Sequence, residues 1–283
     1  LPSRHTANSR QRQACLREKV GLRAQRPCQP MYPVRTTYLY GADTYKLYTH
    51  VLHIRVYIVR GQVSVRAGKH LRFTNVTFRD MGSVALNVTD GSQDVRITSC
   101  RFHSISGSAI SLGQTDDWRE TDLAKQNARL HVTNCDVRNV TSEFGGAVGI
   151  FVGFIRDSSV SHSTIDSPAK ACISSGWGWG TASPSYMRNN SITHNVCLRG
   201  NSECCGGMGV IYTLGEQPNT TLAYNYVRDA AMVWAGVGFH HDEGSAGITD
   251  HANVPSPSIS TSQLRPFITF HESVVFSFIN ALA

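Results

Sequence analysis

One pattern recurs along this chain at intervals that neither a helix nor a hairpin produces. Seven times a short apolar strand is followed by a small or polar residue and a second apolar position: residues 71–78, 95–102, 130–137, 160–165, 192–196, 222–227 and 248–254. Taking Val76, Cys100, Cys135, Ser163, Asn195, Asn225 and Ala252 as equivalent places, the separations are 24, 35, 28, 32, 30 and 27 residues. These intervals fit coils of one minimal length carrying loops of different size. A repeated strand-turn unit buries its apolar side only by stacking on its neighbour.

A second set of strands lies between the first: residues 84–88, 109–112, 148–152, 171–175, 210–213 and 237–241. Two or three short strands per coil, with apolar residues inward and polar residues outward, describe an all-β chain wound as a parallel β-helix, a solenoid with inserted loops. Apolar positions at a 3.6-residue period are scarce, and 24 glycines favour turns over long helices. An antiparallel sandwich would join its strands by short hairpins, and no Asn-Gly turn separates them. The expected division is a basic lead-in over 1–40, the β-helix over 41–254, and a C-terminal segment over 255–283 whose apolar run at 267–282 covers the open end of the stack.

Charge follows this division. Residues 1–35 hold eight Arg or Lys against Glu18, a net of +7 that equals the whole chain's formal charge, so the body is neutral. The basic tail lacks interleaved aromatics, and no nucleic-acid partner is expected. No run reaches the roughly 20 apolar residues of a spanning helix, and no membrane partner is expected. Sequons at Asn75, Asn87, Asn139, Asn189 and Asn219, with eight cysteines, point to a secreted glycoprotein, expected as a monomer. The cysteines (15, 28, 100, 135, 172, 197, 204 and 205) lack zinc spacing, so neither metal nor cofactor is expected. Cys100 and Cys135 fall at equivalent places in successive coils, where they stack as buried thiols or bridge as a disulfide.

Aligning the second strands stacks Ile150, Ile173, Ile211 and Phe239, then Phe151, Ser174, Tyr212 and His240, then Val152, Ser175, Thr213 and His241. Past these strands come 176–180 (GWGWG), 214–216 (LGE) and 242–244 (DEG), so aromatics, two histidines and carboxylates converge on one rim. Trp177 and Trp179 between glycines suit stacking on sugar rings, either there or as satellite core beneath a loop. Inserts at 114–127, 180–188 and 228–234 recur in phase and build the binding face. Glycosidic hydrolysis takes two carboxylates across the scissile bond. Asp242 or Glu243 supplies one, and Glu216 is the nearest candidate for the second, ahead of Glu203 and Asp229.

The phrases at 145–153 (GGAVGIFVG), 172–180 (CISSGWGWG), 209–215 (GVIYTLG) and 242–249 (DEGSAGIT) resemble right-handed parallel β-helix proteins of the pectin-lyase-like superfamily, and among them glycoside hydrolase family 141. The resemblance spans roughly 71–254 and implies a glycosidase acting on fucosylated glycans or plant-type polysaccharide. It also implies two catalytic aspartates on neighbouring coils, of which one falls on Asp242. The other falls on position 207, which is Gly207. Asp242 is then acid or nucleophile, Glu243 and His241 position it, and Trp177, Trp179, Tyr212 and His240 bind the sugar. Gly207 keeps a second expectation open, a β-helix that binds carbohydrate or is structural without catalysis. A polysaccharide lyase is the third, with Lys170, Arg188 and Arg228 as candidate bases.

Overall fold

The computed structural model describes residues 61–144, 146–200, 209–229 and 238–255, together with the backbones of strands Thr37–Tyr40, Lys46–Tyr48, Leu52–His53 and Val275–Ser277. Gly207, Glu203, Cys15, Cys28, Cys204, Cys205 and most of the 228–234 insert lie outside the described residues, as do the lead-in before Thr37 and most of the C-terminal segment.

Each coil holds three strands, one in each of three parallel sheets. The first sheet runs Thr37–Tyr40, Val63–Arg66, Leu86–Thr89, Ile110–Leu112, Ile150–Val152, Ile173–Ser175, Ile211–Thr213 and Phe239–His241. The second sheet includes Arg72–Thr74, Gln93–Thr98, Ala128–Thr133, Ser159–Ser161, Ser191–Thr193, Glu216–Ala223 and Ala246–His251, and the third stacks Leu52–His53 and Thr77–Met81 through Val254–Pro255. Each of the seven repeats read from the sequence is therefore a strand of the second sheet, a sharp turn and a strand of the third. Stacking begins at Thr37–Tyr40, which pairs with Val63–Arg66, and the second sheet ends on Val275–Ser277 beside Thr249 to His251.

Alternation sets the core. In Ala128–Thr133 every second residue is buried, and in Ile150–Val152 the outer two are, so Leu130, Val132, Ile150 and Val152 join Val95, Ile97, Ile110 and Ile173 in one interior column. Like stacks on like along the axis: Phe78 lies on Phe102 with ring centroids 4.7 Å apart. Cys100, Cys135, Cys172 and Cys197 are buried free thiols of this core.

The turn between the second and third sheets places Asn75, Ser99, Asn134, His162, His194, Tyr224 and Ala252 at φ of 52 to 58°, a left-handed conformation in which Asn and His are better tolerated than branched residues. The residue after each points inward, and in the last coils it is asparagine. Asn195 N–H and Nδ2 both donate to Asn225 Oδ1 at 3.0 Å, and Asn225 N–H and Nδ2 both donate to Asn253 Oδ1 at 2.9 Å. Asn253, not Ala252, is thus the seventh member of the inward row, because Ala252 takes the left-handed turn position and pairing aligns Tyr226 with Val254.

Two inserts that follow strands of the first sheet are clasped together. Tyr186, in the 180–188 insert, has its Oη 2.6 Å from the Phe154 carbonyl and 2.7 Å from Asp117 Oδ2, in the 114–127 insert. Asn127 Nδ2 donates to the same Asp117 oxygen at 3.1 Å, while its own oxygen accepts from the N–H groups of Gly91 and Ser92.

Candidate functional site

The strand alignment read from the sequence is the observed register. Ile150, Ile173, Ile211 and Phe239 form one inward row, and Phe151, Ser174, Tyr212 and His240 form the adjacent row on the outer face. Outside the main core, Tyr212 and Leu214 pack with Val148 and Ala171, and Phe151 closes this second apolar cluster. The Trp177 ring meets Phe151 edge-on at 6.0 Å, and Trp179 meets Trp177 edge-on at 4.8 Å. Both indoles stay open to solvent, Trp177 at 38% and Trp179 at 47% exposure.

Glycine makes this arrangement possible. A β-carbon added to Gly176 would stand 1.9 Å from the Leu214 carbonyl oxygen, so only the bare backbone lets the 176–180 loop lie on the next turn. A β-carbon on Gly244 would stand 2.5 Å from Gly180 Cα, which shows the indole-bearing loop and the Asp242 turn in backbone contact. Trp177, Trp179, Tyr212, His240 and Asp242 therefore share one rim.

Asp242 is held there from two sides. The Tyr212 phenol donates to Asp242 Oδ2, and His240 Nε2 lies 4.0 Å from Asp242 Oδ1. The Asp242 N–H donates to the Thr213 carbonyl at 3.0 Å, carrying the parallel ladder one residue beyond the strand. Burial, then the hydrogen bond to Asp242, then the charges of Asp242 and Glu243 raise the Tyr212 phenol well above its ordinary value, so it remains a donor at neutral pH. Tyr212 and His240 touch edge-to-face at 5.4 Å.

His241 sits elsewhere. Neighbours in a strand project to opposite faces, and while His240 faces outward with Asp242, His241 faces inward with buried Thr213. Its Nδ1 lies 2.7 Å from Thr213 Oγ1 and its Nε2 lies 2.9 Å from Asp250 Oδ2. The expected convergence of both histidines on the rim is thus halved. Glu243 is exposed in the turn beside Asp242, and Glu216 accepts a hydrogen bond from Ser183 Oγ at the start of its strand. Of the basic candidates, Arg228 pairs with Asp229 at 2.9 Å on the third sheet, Arg188 bridges Arg156 at the edge of the second, and Lys170 precedes the first. The structure does not gather them around Asp242.

The sequence pattern alone does not single out Ser245, Asp250, Asp117 or Tyr186. Asp117 is the described carboxyl pushed furthest up, to about 6, chiefly by burial. It belongs to the insert that follows strand Ile110–Leu112, four rungs before the strand that precedes Asp242, and its described partners are Tyr186 and Asn127 rather than Asp242.

Comparison with solved structures gives a glycoside hydrolase with a TM-score of 0.58 and 22% identity, covering 74% of this chain and 39% of that one. An alginate lyase from Paenibacillus sp. str. FPU-7 gives a TM-score of 0.47 and 12% identity over 71% of this chain and 75% of that one. The first likeness bears on the fold, and this chain spans well under half of that protein's length. None of the curated proteins matches the sequence. Residues 61–254 match the family described as right handed beta helix region, and with three parallel sheets stacked coil on coil through the same span, the chain belongs to that family.

Proposed function

We propose that this chain is a secreted carbohydrate-active protein, a glycoside hydrolase acting on a fucosylated glycan or plant-type polysaccharide at the outer rim of the first sheet. One observation carries the proposal: a pair of solvent-open indoles lies in backbone contact with the turn that bears a tyrosine-held carboxylate. Flat apolar faces beside a fixed acid suit a sugar ring stacked while its glycosidic oxygen meets Asp242. In this proposal Trp177 and Trp179 stack on the sugar, His240 flanks the carboxylate, and Tyr212 positions it. The second carboxylate is Glu243 or Glu216. The likeness of the sequence phrases to glycoside hydrolase family 141 supports the same assignment. Exposed sequons at Asn75, Asn139, Asn189 and Asn219 support secretion.

Binding without hydrolysis is the second reading, favoured by Gly207 at the place where the resemblance expects an aspartate. The test is reducing sugar released from fucosylated oligosaccharides and xylan by the wild-type protein and by Asp242→Asn, with ultraviolet absorbance monitoring any unsaturated lyase product. Turnover lost in the variant, with glycan binding kept, supports hydrolysis. Undiminished turnover overturns the role of Asp242, and wild-type binding without turnover favours the second reading.

A further inference from the structure

Beneath the Asp242 turn a chain of hydrogen bonds runs from the rim into the interior, and with His241 as the neutral imidazole each proton direction in it follows from the one before. His241 Nε2 lies 2.9 Å from Asp250 Oδ2. A carboxylate only accepts and a neutral imidazole has a single N–H, so that proton sits on Nε2. Nδ1 must then accept, and its partner is Thr213 Oγ1 at 2.7 Å. This commits the one Thr213 hydroxyl proton, and Ser245 Oγ, 3.0 Å from Thr213 Oγ1, must donate to it. The far end is anchored, since Asp250 Oδ1 accepts from Asn253 Nδ2 at 2.5 Å, the last member of the inward asparagine row. Thr213 is 2% exposed, and the His241 and Asp250 side chains are 10% and 12% exposed, so water has little access to these partners.

Ser245 stands at the open end. It is half-buried, and its N–H donates to the Asp242 carbonyl at 2.9 Å, closing the turn that carries the rim carboxylate. With its proton directed inward, the hydroxyl shows only lone pairs outward.

We propose that Ser245 is a specificity residue of the carbohydrate site, accepting a hydrogen bond from one sugar hydroxyl and donating none, with Thr213, His241 and Asp250 as the positioning residues that enforce this polarity. The assignment rests on the carbohydrate reading of the rim. It selects a sugar carrying a free hydroxyl where Asp242 meets the ring, because a group prepared to accept loses its partner when that hydroxyl is absent or capped.

The relay is tested first without sugar, by nitrogen-15 spectroscopy of the His241 imidazole. The Nε2–H tautomer is expected, and the Nδ1–H tautomer overturns the proposal. The acceptor role is tested by tryptophan-fluorescence titration with xylotetraose and with a fucosylated trisaccharide, each compared with analogues in which fluorine replaces one hydroxyl at a time. Fluorine cannot donate, so one analogue should bind wild type about tenfold more weakly. The same replacement should cost nothing further in Ser245→Ala, while Ser245→Thr, which keeps the hydroxyl, restores the wild-type loss. Losses that simply multiply with Ser245→Ala at every position overturn the proposal while leaving the carbohydrate reading intact. Fluorescence unmoved by any glycan overturns both.

Discussion

Tyr186 has one phenolic proton and two acceptors, the Phe154 carbonyl at 2.6 Å and Asp117 Oδ2 at 2.7 Å. Both contacts are bonded when Asp117 is itself a carboxylic acid, donating to Tyr186 while the phenol donates to Phe154. Among the described residues buried Asp117 Oδ1 has no hydrogen-bond partner, which a neutral acid bears at lower cost than an anion. Burial first, and the nearby Asp116 and Asp90 charges after it, hold the group near 6 from an ordinary 3.8, against the opposing hydrogen bond of Tyr186. The fold favours the protonated form, so this stabilisation is full below 3.8 and is lost as pH rises through about 6. The whole shift corresponds to about 3 kcal/mol. Because solvent reaches part of the side chain, about 1–2 kcal/mol is the expected share. Asp117→Asn keeps a donor for Tyr186 and removes the titration, and the acceptor it withdraws from Asn127 Nδ2 adds an offset that does not vary with pH. Relative to wild type, the variant should therefore gain about 1–2 kcal/mol, or about 3–6 °C in melting temperature, between about pH 4 and about pH 7. Thermal denaturation of both proteins across that range measures it. Two curves that keep a constant separation would refute the neutral-acid assignment.

Two further outcomes concern the fold. Asn225→Ala removes a side chain that bonds Asn195, Ile192 and Asn253 at 2.9 to 3.0 Å, and it should cost about 2–4 kcal/mol in chemical denaturation by orphaning buried groups. Gly176→Ala, at a φ of +89° and against the Leu214 carbonyl, should cost at least about 2 kcal/mol and shift the tryptophan emission as the 176–180 loop moves away. An unchanged emission and melting temperature would show that the loop is not seated as described.

Much of the scaffold was legible because an apolar strand announces its phase. The row from Ile150 to Phe239 follows from alternation alone, and pairing reproduces it residue for residue. The small row from Val76 to Asn225 failed only at its end, where Ala252 resembles a core residue by size yet occupies the left-handed turn. At the rim, alternation also separates His240 from His241, and following that rule through would have sent His241 inward. Asp250, nine residues further on in another sheet, gives no local signal that it receives His241. The clasp of Asp117 on Tyr186 joins positions 69 residues apart in inserts that recur in phase but share no residue pattern within them, so nothing in the pattern predicts it.

Rungs spaced by about 4.8 Å make the outer face of the first sheet a graduated scale. Axial separations between groups on it come in whole steps, with small corrections from side-chain length. One step approximates the roughly 5 Å gap of retaining chemistry, and two steps approach the upper end of the inverting range near 9.5 Å. A carboxylate that works with Asp242 is thus confined to its own turn or to the one or two turns preceding it along the described stack, those carrying Thr213 and Ser175. Adding or removing a single coil between them would reset the chemistry without disturbing the winding.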